Sequence, residues 1–184
     1  LSSICVMAER ELSQVAIVKV GTMDKPMILP MPGNENFARE LAFAGGGEVT
    51  AIETRRFPDG ETYLRLLAPV KGRAVDVVAT LAGPNPDFLR LAFAADAARA
   101  QGAARVRLVA PYLAYMRQDK AFKPGEAVTS DTFARLVSSL FDGLVTVDPH
   151  LHRRTALSDL YDIPAAAVQA APALADWIVA NVER

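Results

Sequence analysis

From Met27 onward, short apolar runs alternate with amphipathic stretches, and this alternation sets the expected order of elements. MILPM, VDVVAT (Val75 to Thr80), VRLVAP (Val106 to Pro111) and the apolar part of GLVTVDPH are short and rich in branched residues, as in strands buried on both faces. Between them, residues 34–44, the stretch FLRLAFAADAARA and a segment from about Ser130 to Phe141 read as helices. Gly45-Gly46-Gly47 and Gly102 stop the first two, and Asn85 or Asp87 offers a cap for the second. EVTAIETRRF reads as a strand, FPDGE as a turn, and ETYLRLL alternates as a half-exposed strand does. Strands alternating with helices imply right-handed crossovers and a parallel sheet with helices on both faces.

The flanks depart from this rhythm. Residues 1–26 repeat no later pattern; Ile4 to Gln14 could form a helix and Val15 to Val20 a strand, in what reads as an appended leader of unknown origin. Residues 27–150 form the expected α/β domain. Beyond His150 the pattern loosens through LHRRTALSDLYDIP, tightens at AAAVQ and ends in a helix after Pro172 that should carry Trp177 and Ile178 inward. Residues 151–184 are therefore expected to start an incomplete second domain.

Composition narrows the class. The 184 residues can bury a substantial core, and a formal net charge of −1 gives no reason to expect nucleic acid or an anionic membrane as partner. Cys5 is the single cysteine, which excludes an internal disulfide and a cysteine zinc cluster and points to the cytoplasm. No run approaches the roughly 20 apolar residues of a membrane span. GxGxxG after the first strand, GxxxxGK[ST] and GxSxG are all missing, so phosphate recognition would have to come from elsewhere.

The densest chemistry lies in APYLAYMRQDKAFKPGEAVT, Ala110 to Thr129. Arg117, Gln118, Asp119, Lys120 and Lys123 follow a buried strand, where ligands of parallel sheets bind, and Pro124-Gly125 supplies a turn. Converging cations suit a phosphate-bearing ligand; a solvated charged face is the alternative. Asp148 and His150, two residues apart after VTV, would point the same way in extended chain and could hold Mg²⁺ with its phosphates, the histidine in an outer shell. Alternatively, Asp148 caps a turn. His152 extends the spacing to HxH, which zinc also uses. FPDGE is either a plain hairpin turn or a base-reading bend in which Phe57 stacks on a purine while a carboxylate accepts from its amine.

Taken together, RRFPDGETYLRL, APYLAYMRQDKAFKPGEAVTS, TVDPH and AAPALADWI resemble the N-terminal half of a ribose-phosphate diphosphokinase, or phosphoribosyl pyrophosphate synthetase, from about Met27 to Asn181. The resemblance implies a three-layer parallel sheet of the phosphoribosyltransferase-like type, and transfer of the β,γ-diphosphoryl group of ATP to the 1-hydroxyl of ribose 5-phosphate with Mg²⁺ bridging the phosphates. It casts Phe57 as the ring that stacks on a neighbouring subunit's adenine, and Asp59, Gly60 and Glu61 as the base-reading turn, so that a homo-oligomer is functional. It maps Arg117, Gln118, Asp119 and Lys120 onto ATP binding, His150 onto the site of ATP and Mg²⁺, and Asp148 onto the same acidic site. Lys120 stands where the family often has arginine, and Asp148-Pro149-His150-Leu151 where it has a DLHA-type sequence, which suggests a divergent branch.

The family's acidic, threonine- and glycine-rich acceptor loop and its basic catalytic loop would follow Trp177. The expectation is a truncated synthetase that holds half an ATP site and is inactive alone. The rivals are a noncatalytic homologue that binds nucleotide or the synthetase itself, and a phosphoribosyltransferase, which would need an acidic diphosphate-binding loop after a central strand.

Overall fold

The computed structural model describes residues 25–182, so the expected helix at 4–14 and strand at 15–20 lie outside the described residues. In chain order the strands are β1 (Met27–Pro30), β2 (Glu48–Val49), β3 (Ile52–Arg56), β4 (Thr62–Leu66), β5 (Ala74–Val78), β6 (Arg105–Ala110), β7 (Leu144–Val147) and β8 (Ala165–Val168). The helices are α1 (Glu35–Gly45), α2 (Pro84–Ala100), α3 (Thr129–Leu140) and α4 (Ala171–Asn181). Six strands form one sheet in the order β2-β1-β5-β6-β7-β8, and every pairing in it is parallel. None of the described helices is long and apolar enough to cross a membrane.

Side chains alternate across this sheet, and the two faces meet different helices. Met27, Leu29, Val75, Val77, Val106 and Leu108 join α2 and α3 in the larger core, while Ile28 and Val78 pack with Ala38 of α1 on the other face. The buried face of α2 is nearly all alanine, Ala94, Ala95 and Ala98 beside Leu91, which lets its backbone sit close to the sheet. Helix α1 ends where Gly46 takes φ +72° and donates its N–H to the Ala42 carbonyl at 2.8 Å, so the glycine run stops the helix as expected.

Three expectations from the sequence need correction. EVTAIETRRF is two strands, because Glu48–Val49 pairs with β1 in the main sheet whereas Ile52–Arg56 pairs antiparallel with β4. Neither Asn85 nor Asp87 caps α2; the helix starts at Pro84, so both lie in its first turn, where Asp87 accepts a hydrogen bond from Arg90 at 2.8 Å. The VDVVAT strand is buried as expected, Asp76 included, whose carboxylate takes a bidentate pair from Arg107, 2.6 and 2.7 Å, directly opposite it on β6. That geometry satisfies both carboxylate oxygens and so makes a charge inside the sheet tolerable. Finally, α4 buries none of its residues, and Ile178 is 53% exposed.

The β3–β4 hairpin lies on the larger core through Ile52, Leu64 and Leu66. Its outer face carries a Glu53–Arg65 ion pair at 3.0 Å between directly opposed residues. Strand β8 adds to the sheet beside β7, so the chain beyond His150 is still building this sheet as far as Val168.

Candidate functional site

The parallel ladder between β6 and β7 ends at Ala110 opposite Thr146, and two loops leave the same edge of the sheet there. The first, residues 111–128, is anchored from below: Leu113, Ala114 and Met116 are buried, and the Tyr161 hydroxyl meets the Met116 sulfur at 3.7 Å. Its tip is organised by Glu126. One carboxylate oxygen accepts the backbone N–H of Phe122 at 2.7 Å and of Lys123 at 3.0 Å, and the Gln118 side-chain amide at 3.2 Å. The Phe122 and Lys123 amides, in that order, hold the Glu126 carboxyl below its ordinary pKa against the opposing effect of burial, with Gln118 adding to them.

The sign of the pH effect follows. A carboxyl whose pKa is lower in the folded loop supports that loop above the unfolded value and loses the support as pH falls through the folded one. In an NMR titration the Phe122 and Lys123 amide protons should therefore move together, at a pH below the ordinary glutamate range. A midpoint at or above that range would refute the assignment. Glu126→Ala should abolish the shared transition.

The second loop follows β7. Asp148 takes φ +40°, its N–H donates to the Val168 carbonyl at 2.9 Å, and its carboxylate accepts the Ala170 N–H at 3.2 and 3.4 Å. The chain is therefore not extended at this point, as the spacing argument had assumed, and the turn-capping alternative describes one of the things Asp148 does. The rings of His150 and His152 meet edge to face with centroids 4.2 Å apart.

Between the two loops lies a recess of about 660 Å³, lined by Arg117, Gln118, Asp148, His150 and His152 among others. Five of the residues singled out in the sequence thus share one cavity. Arg117 is exposed, and none of the ion pairs among the described residues uses it. Asp119 and Lys120 belong to the same loop without lining the recess. Asp119 is bound by Arg153 at 2.8 and 3.1 Å, and the Lys120 ammonium sits 5.0 Å from the Phe122 ring centre.

Phe57, Asp59, Gly60 and Glu61 form the hairpin tip, outside the recess lining. The Phe57 N–H donates to the Glu61 carbonyl at 2.8 Å, Asp59 accepts the Glu61 N–H at 3.1 Å, and Gly60 turns the chain at φ +94°. Arg55 places its guanidinium 4.5 Å from the Phe57 ring and 4.4 Å from Tyr63, which braces a ring that remains 38% exposed.

Sequence reading passed over Tyr115, Glu126 and Arg153. Tyr115 lines the recess at φ +60°, its hydroxyl bonded to Asn85 and its ring 4.9 Å from that of Phe133. It and Asp148 are the two described non-glycine residues with positive φ, and both border the recess. Such conformations cost on the order of 1–3 kcal/mol each and collect at binding sites. No residue type announces them in a sequence; the PGE turn was the available signal for Glu126.

For a divalent cation, the donor set fits Mg²⁺ brought in by a ligand's phosphates. Asp148 offers a carboxylate with spare lone pairs and His150 a neighbouring imidazole, and among the described residues no group of three or more acidic, histidine or cysteine side chains forms a cage.

Comparison with known proteins adds to this geometry. Residues 26–140 match the family model described as the N-terminal domain of ribose phosphate pyrophosphokinase. The ribose-phosphate pyrophosphokinase of Methanopyrus kandleri is 35% identical over 85% of this chain and 53% of its own length. That of Halobacterium salinarum is 36% identical over 85% of this chain and 54% of its own. The crystal structure of phosphoribosylpyrophosphate synthetase from Mycobacterium smegmatis has the same fold, with a TM-score of 0.76 at 24% identity over 86% of this chain and 53% of that one. The chain spans about half the length of the curated relatives it matches.

Proposed function

Since the chain belongs to the ribose-phosphate pyrophosphokinase family, we propose that its recess holds the triphosphate of ATP for transfer of the β,γ-diphosphoryl group to the 1-hydroxyl of ribose 5-phosphate. The observation that carries this reading is the single cavity at the sheet's edge that gathers Arg117, Gln118, Asp148 and His150. Such a reaction asks little covalent chemistry of the protein; rate comes from alignment and from neutralising the moving charge.

Arg117 supplies a planar, permanently charged fork to phosphate oxygens, and Gln118 beside it borders the recess with its side-chain amide tied to Glu126 and to the Lys120 carbonyl, which fixes the turn that presents the fork. His150 donates a ring N–H toward the same oxygens. Asp148 and His150 would hold Mg²⁺, which when bound shields the phosphates and withdraws charge from the bond that breaks. Asp119 and Lys120 shape the loop that carries Arg117. The hairpin tip, with Phe57, Asp59, Gly60 and Glu61, reads the adenine in the recess of a second copy, so a homo-oligomer completes the nucleotide site. A cytoplasmic role in nucleotide biosynthesis goes with these substrates.

Calorimetric titration tests the proposal. Magnesium ATP should bind this chain with one site per copy, and a folded protein that shows no binding at millimolar ATP would overturn it. Phe57→Ala should weaken ATP roughly tenfold, the worth of one stacked base, but only in the assembled form. An equal loss in a proven monomer would contradict the reach between copies.

A further inference from the structure

We propose that Arg153 is a positioning residue of the phosphate recess, clamping Asp119 so that the Arg117–Gln118 turn faces His150 and no unpaired carboxylate stands beside the bound anion. This rests on the reading of the recess as a polyphosphate site.

Beyond the Ala110–Thr146 pair the β6–β7 ladder no longer spaces the two loops, and side-chain contacts span the gap between them. Arg153, on the loop after β7, donates through Nη1 to both Asp119 oxygens on the loop after β6, at 2.8 and 3.1 Å. Its guanidinium also lies 5.4 Å from the centre of the Phe122 ring, whose backbone N–H is held by Glu126. Arg154 makes a second tie, to Asp131 in the first turn of α3, at 2.8 Å. The clamp thus joins the two walls that carry Arg117 and His150.

Its charge matters as much as its geometry. The Asp119 side chain is only 5% exposed, whereas that of Arg153 is 46% exposed. Burial opposes ionisation of Asp119, yet the Arg153 hydrogen bond and charge overcome that and hold its pKa below the ordinary value. Unpaired, this little-exposed carboxylate two residues from Arg117 would oppose the cation that a phosphate needs.

The experiment compares the whole chain with Arg153→Ala, Arg153→Lys, Asp119→Asn and the Asp119→Asn, Arg153→Ala double variant. Calorimetry measures magnesium ATP and AMP, and hydrogen exchange follows the amides of residues 117–126 without ligand. Arg153→Ala should weaken ATP about tenfold and AMP far less, and should speed exchange in the loop. Arg153→Lys should recover part of the affinity, and the double variant should bind no more weakly than Arg153→Ala alone. Wild-type ATP affinity and exchange in Arg153→Ala, or additive losses in the double variant, would overturn the proposal. If the unaltered chain binds no ATP, the polyphosphate reading fails, and the inference that rests on it fails too. The exchange data then show separately whether the clamp orders the loop.

Discussion

Substituting alanine for Arg117 should weaken binding of magnesium ATP by roughly ten- to a hundredfold, the range expected when a charge-assisted hydrogen bond to phosphate is lost. The backbone around it should hold. Met116 beside it is 4% exposed, and the Gln118 carbonyl accepts the Ser130 N–H at 3.3 Å, so the turn is fixed by contacts that the substitution leaves alone. Since Arg117 is exposed and outside the ion pairs of the described residues, its removal should change stability by no more than about 0.5 kcal/mol. Lysine at the same position should fall between the two, keeping the charge and losing the fork. Calorimetry with magnesium ATP checks the role: an unchanged ATP affinity would remove Arg117 from the site.

The largest loss of stability is expected from Phe141→Ala, about 3–5 kcal/mol, because a whole aromatic side chain leaves a close-packed core. Phe141 is 2% exposed and ends α3, with its N–H donating to the Val137 carbonyl at 3.0 Å. Its neighbour Asp142 has a separate duty, accepting the Val106 N–H at 2.8 Å and Arg99 at 2.9 Å, so the chain's path is held while the ring is removed. The surroundings are then unable to collapse fully into the space, and a cavity remains. Two-state denaturant unfolding should show the full loss, and the melting temperature should drop by roughly 6–20 °C for a domain of this size. Phe141→Leu should cost much less. A loss below about 1 kcal/mol for the alanine variant would mean that the ring is not a core residue. Phe141 precedes β7 whereas the recess lies past its end, so the folded fraction should bind ATP with near-normal affinity.

These variants probe parts of the molecule that the sequence displayed to different degrees. Met27–Pro30, Arg105–Ala110 and Leu144–Val147 stand out as apolar runs because each is a central strand covered by other elements. The FPDGE bend is equally legible, since Pro, Asp and Gly each serve one position of the turn. The break at Thr50–Ala51 is not. Residues on both sides suit a strand, and only their partners, β1 on one side and β4 on the other, send them to different sheets. Ile178 looked like a core residue because it is apolar and helical, yet whether such a face is covered depends on what lies opposite it.

The candidate site divides the same way. Residue type alone marked Arg117, Gln118, Asp148 and His150, because charge and hydrogen-bonding capacity concentrated at the end of a buried strand have few structural uses. Type did not mark Asp119 as the partner of Arg153, a residue 34 positions away. It also missed the positive φ of Tyr115 and Asp148.

By itself, then, the amino-acid order determined the succession of strands and helices, the site of the hairpin turn, and the supply of cations and acids at the carboxyl ends of β6 and β7. Those are local properties, set by periodicity, backbone preference and side-chain chemistry. Tertiary structure alone decided which acid is neutralised, which ring is braced and how far apart the two loops stand. These depend on residues that meet only when parallel strands bring distant segments side by side, and no local preference encodes such a meeting.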